Sequence, residues 1–158
     1  LDCTEDVMNE AIDSGCNLII AHHPLIFGKG LLSITGKTWE ERVLLKALKN
    51  DIVIYAIHTN LDNVLANGVS SHMAERLGLG GVRILSPKDA GMTAGAGVIG
   101  ELPSAMGGLE LLSWVRTQFH SPVIRHSSLI DKPLQKIALC GGSGAFLIQE
   151  ARRQGRHA

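Results

Sequence analysis

The chain has 158 residues, 45% hydrophobic, 19% charged and 4% aromatic, and its 15 basic and 15 acidic side chains cancel to zero net charge. That composition is too apolar for disorder, and a chain of this size buries roughly two-thirds of its unfolded surface. Zero charge removes a general electrostatic case for nucleic acid or an anionic membrane, and no apolar run approaches the ~18 residues of a membrane span.

Three cysteines, Cys3, Cys16 and Cys140, are an odd number at no zinc spacing. They point to a reducing cytoplasm and no disulfide framework. The chain opens at Leu1-Asp2-Cys3-Thr4 without a methionine or a signal peptide, and it closes in a basic tail carrying Arg152, Arg153, Arg156 and His157. Both ends read as cuts through a larger protein.

Thr4 is placed to cap a helix whose first turn holds Glu5 and Asp6, with Val7, Met8, Ala11 and Ile12 as its apolar stripe and Gly15 beyond its end. Leu18-Ile19-Ile20-Ala21 is a continuous apolar run, as in a strand buried on both faces, and His22-His23-Pro24 ends it. Thr38-Trp39-Glu40-Glu41 has the form of a capping box. A helix follows to about Asn50, with Val43, Leu44, Ala47 and Leu48 as its buried side. Residues Ile52 to Ile57 predict a second buried strand, His58 to Asn63 a polar loop, and Val69 to Leu77 a helix stopped at Gly78. This alternation argues a layered α/β fold with a largely parallel sheet.

The remainder is less regular. Residues 89–97 are rich in glycine and alanine, and the next apolar run, Val98 to Leu102, predicts a strand. A helix is expected from Leu109 to Phe119, a short strand at Val123-Ile124-Arg125 and a turn at Asp131-Lys132-Pro133. Ile137 to Cys140 reads as another buried strand, leading through Gly141-Gly142-Ser143-Gly144 into a helix from Ala145 to Arg153. A first lobe over 1–88 and a partial second lobe over 89–158 are expected.

In such sheets the chemistry sits at the carboxyl ends of strands, which is where both histidine-bearing loops fall. Adjacent side chains on an extended backbone point apart, so His22 and His23 would serve two metal ions ~3.5–4 Å apart rather than grip one. Alone, the pair reads more simply as two polar residues at a strand end, exposed or hydrogen-bonded to backbone. His58 could ligate or move a proton and Asp62 could ligate or bridge, while Asn60, Asp62 and Asn63 also suit an Asx-type turn. Imidazole and carboxylate without thiolate suit zinc, manganese or iron. The glycine loop before a helix could hold phosphate on free amides, or be a tight strand-to-helix turn. His72, His120 and His126 carry no such signal.

Taken together, His22-His23-Pro24-Leu25-Ile26-Phe27, His58-Thr59-Asn60-Leu61-Asp62, Ile99-Gly100-Glu101-Leu102 and Cys140-Gly141-Gly142-Ser143-Gly144 resemble, in order, the Ngg-interacting-factor-like family. This is also called the dinuclear metal centre hexameric family, and its bacterial members are GTP cyclohydrolase 1 type 2 homologues. The Asp2-Cys3-Thr4 start resembles the segment before that family's first long helix.

The resemblance implies a two-lobed α/β sandwich with largely parallel or mixed sheets, assembled into a toroidal hexamer. Two divalent ions would lie at the cleft between lobes. His22, His23 and Asp62 match family metal ligands, and His58 matches a position beside them, which makes it the catalytic candidate. The family's remaining ligands, a histidine and a glutamate near its C-terminus, have no counterpart before Ala158, so weak metal binding, or none, is expected of this chain alone. The implied function is metal-dependent hydrolysis of a nucleotide, with a non-catalytic metal-binding scaffold or regulatory partner as the alternative.

Overall fold

Thr4 starts the first helix of the computed structural model, which describes residues 1–28 and 30–155. The chain forms two compact units, Leu1–Asn60 and Leu61–Ala158. Arg156 and His157 of the expected basic tail lie outside the described residues.

In the first unit, helix α1 (Glu5–Asp13) is capped by Thr4, whose Oγ1 accepts the Val7 N–H at 3.4 Å. Strand β1 (Leu18–Ala21) runs parallel to β2 (Val53–Ala56), and helix α2 (Trp39–Lys49) lies within the crossover between them. The register pairs Leu18 with Val53 and Ala21 with Ala56. Met8 and Ala11 from α1, Val43 and Ala47 from α2, and Ile19 and Ala21 from β1 form one buried cluster with Cys3 and Ile52.

Both helices therefore contribute to one face of the sheet. The other face is open: Leu18 and Ile20 are 49% and 66% exposed, and their partners Val53 and Tyr55 are 61% and 49% exposed. This corrects the expectation of strands buried on both sides. An unbroken apolar run does not state how many faces are covered, and here the strand period of two divides it. Val7 and Leu48, both placed on helix inner faces from the sequence, are exposed.

The loop before α2 explains a buried charge. Thr38 caps the helix by accepting the Glu41 N–H at 3.3 Å, as half of a capping box would. The Glu41 carboxylate, however, does not return to the cap. It accepts from the Thr35 N–H at 2.9 Å, the Thr35 hydroxyl at 2.8 Å and the Lys37 N–H at 3.0 Å, which ties the loop over the helix start. Glu41 is only 6% exposed, and these bonds hold its carboxyl below its ordinary value.

The short helix α3 (His58–Asp62) replaces the expected polar loop and runs across the boundary of the units. The second unit then contains α4 (Val69–Arg76), β3 (Gly80–Pro87), β4 (Gly95–Met106), α5 (Gly108–Phe119), β5 (Leu134–Leu139), a 3₁₀ turn at Ala145–Leu147 and α6 (Ile148–Gly155). Its sheet is antiparallel with β4 in the centre, so the described residues form one parallel and one antiparallel sheet rather than a single largely parallel one. Neighbouring residues Ile84 and Leu85 enter two different buried clusters, one with Ala74, Leu77, Val98 and Leu102 and the other with Ala96, Ile99 and Leu147. This sheet is covered on both faces.

Because β3 hydrogen-bonds along β4, residues 80–87 belong with the second unit, and the units divide at Asn60 and Leu61 rather than at 88 and 89. β4 also begins earlier than expected, in the glycine-rich stretch. Gly97 shows why: at φ +64° a Cβ there would lie 2.8 Å from both the Leu139 carbonyl oxygen and Leu147 Cδ1. Small residues let the central strand be packed from both sides. The segment Val123-Ile124-Arg125 is not a strand, and Val123 is exposed. His120 is the left-handed cap of α5, and His72 pairs with Glu75. No helix among the described residues is long and apolar enough to cross a membrane.

This packing sets two measurable outcomes. Gly97→Ala combines a disfavoured backbone with overpacking, and should cost at least about 2 kcal/mol in chemical denaturation. For Glu41 the folded pKa is lowered, so its stabilising effect is complete above the ordinary value of 4.5 and is lost as pH falls below it. Thermal unfolding followed by circular dichroism should therefore decline more steeply below that pH in the native chain than in Glu41→Gln. Parallel declines would contradict this.

Candidate metal centre

The two parallel strands end side by side, and their hydrogen-bond ladder continues one step past each. The Ile57 N–H donates to the Ala21 carbonyl at 3.0 Å and the His58 N–H to the His22 carbonyl at 2.9 Å. His58, the first residue of α3, is thereby locked beside His22. Their ring centroids lie 5.1 Å apart, and His23 lies 5.0 Å from His22 and 5.5 Å from His58. The three rings meet edge to face, and one nitrogen from each falls within 4.8 Å of the others.

Adjacent side chains can converge here because the chain bends at His22 and His23 instead of continuing extended. The bend is held from the start of the chain. The Leu1 carbonyl accepts the N–H groups of both His22 and His23, at 3.0 and 3.1 Å. The next residue, Asp2, places Oδ1 2.8 Å from His23 Nδ1. Cys3 is buried in the core of the unit and secures this short arm. Neither Leu1 nor Asp2 stands out in the sequence as a site residue. The one available signal was the likeness of Asp2-Cys3-Thr4 to a family segment.

His22, His23 and His58 thus form one cluster, in which His58 is placed as closely as the two residues read as ligands. Three imidazoles with a fourth position left open is the donor set of a catalytic zinc, and imidazole equally accepts other first-row divalent ions. Asp62 ends α3 and lies in the second unit, half-buried. Within that unit its charge acts on Cys140: burial first, and then Asp62, push the Cys140 thiol up from its ordinary value. The Cys140 thiol donates to the Gly141 carbonyl at 3.2 Å.

The glycine loop is accounted for by packing. The Gly141 N–H donates to Ser70 Oγ at 3.2 Å, and a Cβ at Gly141 would lie 2.8 Å from Val69 Cγ1. The loop passes into the 3₁₀ turn, and α6 begins only at Ile148. The arrangement is that of a tight strand-to-helix connection. It does not direct a row of free helix amides at an anion.

A family profile described as Duf34/NIF3 (NGG1p interacting factor 3) matches residues 1–157. A Clostridium acetobutylicum protein called GTP cyclohydrolase 1 type 2 homolog is 36% identical over 156 residues, covering 98% of this chain and 58% of its own length. A Drosophila melanogaster NIF3-like protein 1 is 31% identical, with 94% of this chain and 51% of that protein covered. Among solved structures, a Bacillus cereus protein related to NIF3 superposes with a TM-score of 0.85 at 25% identity, over 98% of this chain and 68% of that one. The chain therefore spans little more than half the length of these curated relatives.

The cysteines offer a direct check on the electrostatics. Cys16 is exposed, whereas burial raises the pKa of Cys3 and Cys140 and so reduces their thiolate at neutral pH. Alkylation followed by mass spectrometry should modify Cys16 first. Asp62→Asn should speed Cys140 labelling several-fold in the folded protein, and an unchanged rate would show that Asp62 does not act on the thiol.

Proposed function

The chain belongs to the Duf34/NIF3 (NGG1p interacting factor 3) family, and on that premise we propose that it is a metal-binding protein whose parent is a metal-dependent hydrolase acting on a nucleotide. The observation that carries this reading is the convergence of His22, His23 and His58 within 4.8 Å at the ends of two parallel strands. His22 and His23 are the proposed ligands in this cluster, with Asp62 as a further, carboxylate ligand. His58 stands in the same cluster, able to ligate or to move a proton at a ring nitrogen. Zinc, manganese and iron suit these donors.

A divalent ion bound there would acidify a water and polarise the bond that the water attacks. The protein's own part is to hold the imidazoles at fixed spacing on strand ends whose ladder cannot slide. GTP is the first substrate to test, because the matched bacterial relative carries that name. Two ions and a toroidal hexamer belong to the same proposal and to the parent protein. The open apolar face of β1 and β2 supports the second reading, a metal-binding scaffold whose role is assembly.

Titration of zinc or manganese into the full-length protein, with elemental analysis after desalting, is the first test. Uptake is expected. His22→Ala should lower the affinity by more than the about 10–100-fold typical of losing an outer-shell partner. Folded full-length protein that takes up neither ion would overturn the reading. Incubation of the full-length parent with GTP then separates the two roles. A hydrolysed product that disappears with His22→Ala supports the enzyme. Metal and oligomer without turnover support the scaffold.

A further inference from the structure

Asp2 is distant from the histidines in sequence and adjacent in space, and its contact with His23 has a chemical consequence. An ionised carboxylate only accepts hydrogen bonds. The proton shared across the 2.8 Å contact must therefore be supplied by His23 Nδ1. A neutral imidazole carries one N–H, so Nε2 is left as the bare lone pair. The same arm controls the backbone, because the Leu1 carbonyl takes the N–H groups of both His22 and His23. The backbone bend and the contact to the His23 ring are thus made by two successive residues, held in place by buried Cys3 on one side and capped α1 beyond it.

We propose that Asp2 is the positioning residue of the metal centre: it holds His23, a member of the cluster with His22 and His58, as the Nδ1–H tautomer and so leaves Nε2 as the nitrogen able to take a metal ion. This rests on the metal-binding reading for its purpose, though the tautomer itself does not require a metal. Carboxylate-to-histidine contacts of this kind fix ring orientation and raise ligand basicity. Asp2 and His23 are both about half-exposed, at 53% and 44% of their side chains, so the contact orients the ring more than it stabilises the fold.

The experiment has two readouts on the 158-residue chain. Long-range nitrogen–proton correlation spectra of the metal-free protein report the tautomer of His23, assigned by its loss in His23→Gln. The Nδ1–H form is expected in the native chain and the Nε2–H form in Asp2→Ala. Metal titration is then expected to show a loss of about 10–100-fold for Asp2→Ala. Asp2→Asn, whose amide oxygen still accepts from Nδ1, should recover most of that loss. An Nε2–H tautomer in the native chain would overturn the proposal. So would an Asp2→Ala affinity within about twofold of native, or an Asn variant as weak as the Ala one, which would indicate a charge or ligand role. If the native chain takes up no metal, the affinity comparison is made in the full-length protein, whose failure to bind would end the functional reading, while the tautomer measurement still decides the role of Asp2.

Discussion

The parallel pairing of β1 with β2 is the constraint on which the candidate site depends. Its register places Ala21 opposite Ala56, and two further backbone hydrogen bonds carry that register into the histidine motifs. His22 and His58 are 36 positions apart in the chain, and nothing local relates them. A slip of one residue would turn every side chain of a strand to the opposite face. It would send Ile19 and Ala21 out of the core and carry His58 away from His22. The apolar cluster beneath the sheet therefore fixes the spacing of the imidazoles, although none of the three belongs to it.

The two units apply this layering differently. In the second unit the central strand is buried on both faces, and glycine at position 97 is the condition for it. In the first, helices cover one face and polar groups are concentrated at the strand ends. The buried Glu41 is the exception, and its three hydrogen bonds to a single loop satisfy the carboxylate while tying that loop to α2. A charge removed from water persists where donors replace the water, and the lowered pKa of Glu41 expresses that replacement.

What could be read from the sequence was what is decided locally. Thr4 and Thr38 identify their helices because a cap needs only residues three positions away. Both histidine motifs could be placed at strand ends for the same reason. The sidedness of β1 could not, because Leu18 and Ile20 are as apolar as Ile19, and only the tertiary packing decides which are covered. The start of β4 was hidden because Gly95, Ala96 and Gly97 carry a turn-like composition for a packing reason. The convergence of His22 with His23 depends on a bend imposed from Leu1, and the partner of His23 is a carboxylate 21 residues upstream. Neither has a periodicity or a spacing that would announce it.

The open face of the first sheet has a colloidal consequence. Leu18, Ile20, Val53 and Tyr55 present adjoining apolar surface to water, and the sequence is electrically neutral with an isoelectric point near 7.2. Around neutral pH no net charge is available to hold two copies apart, so the short-range attraction between such faces acts without long-range opposition. Solubility of the isolated chain is lowest where the protein carries no charge, and it rises on either side as the molecule becomes an ion.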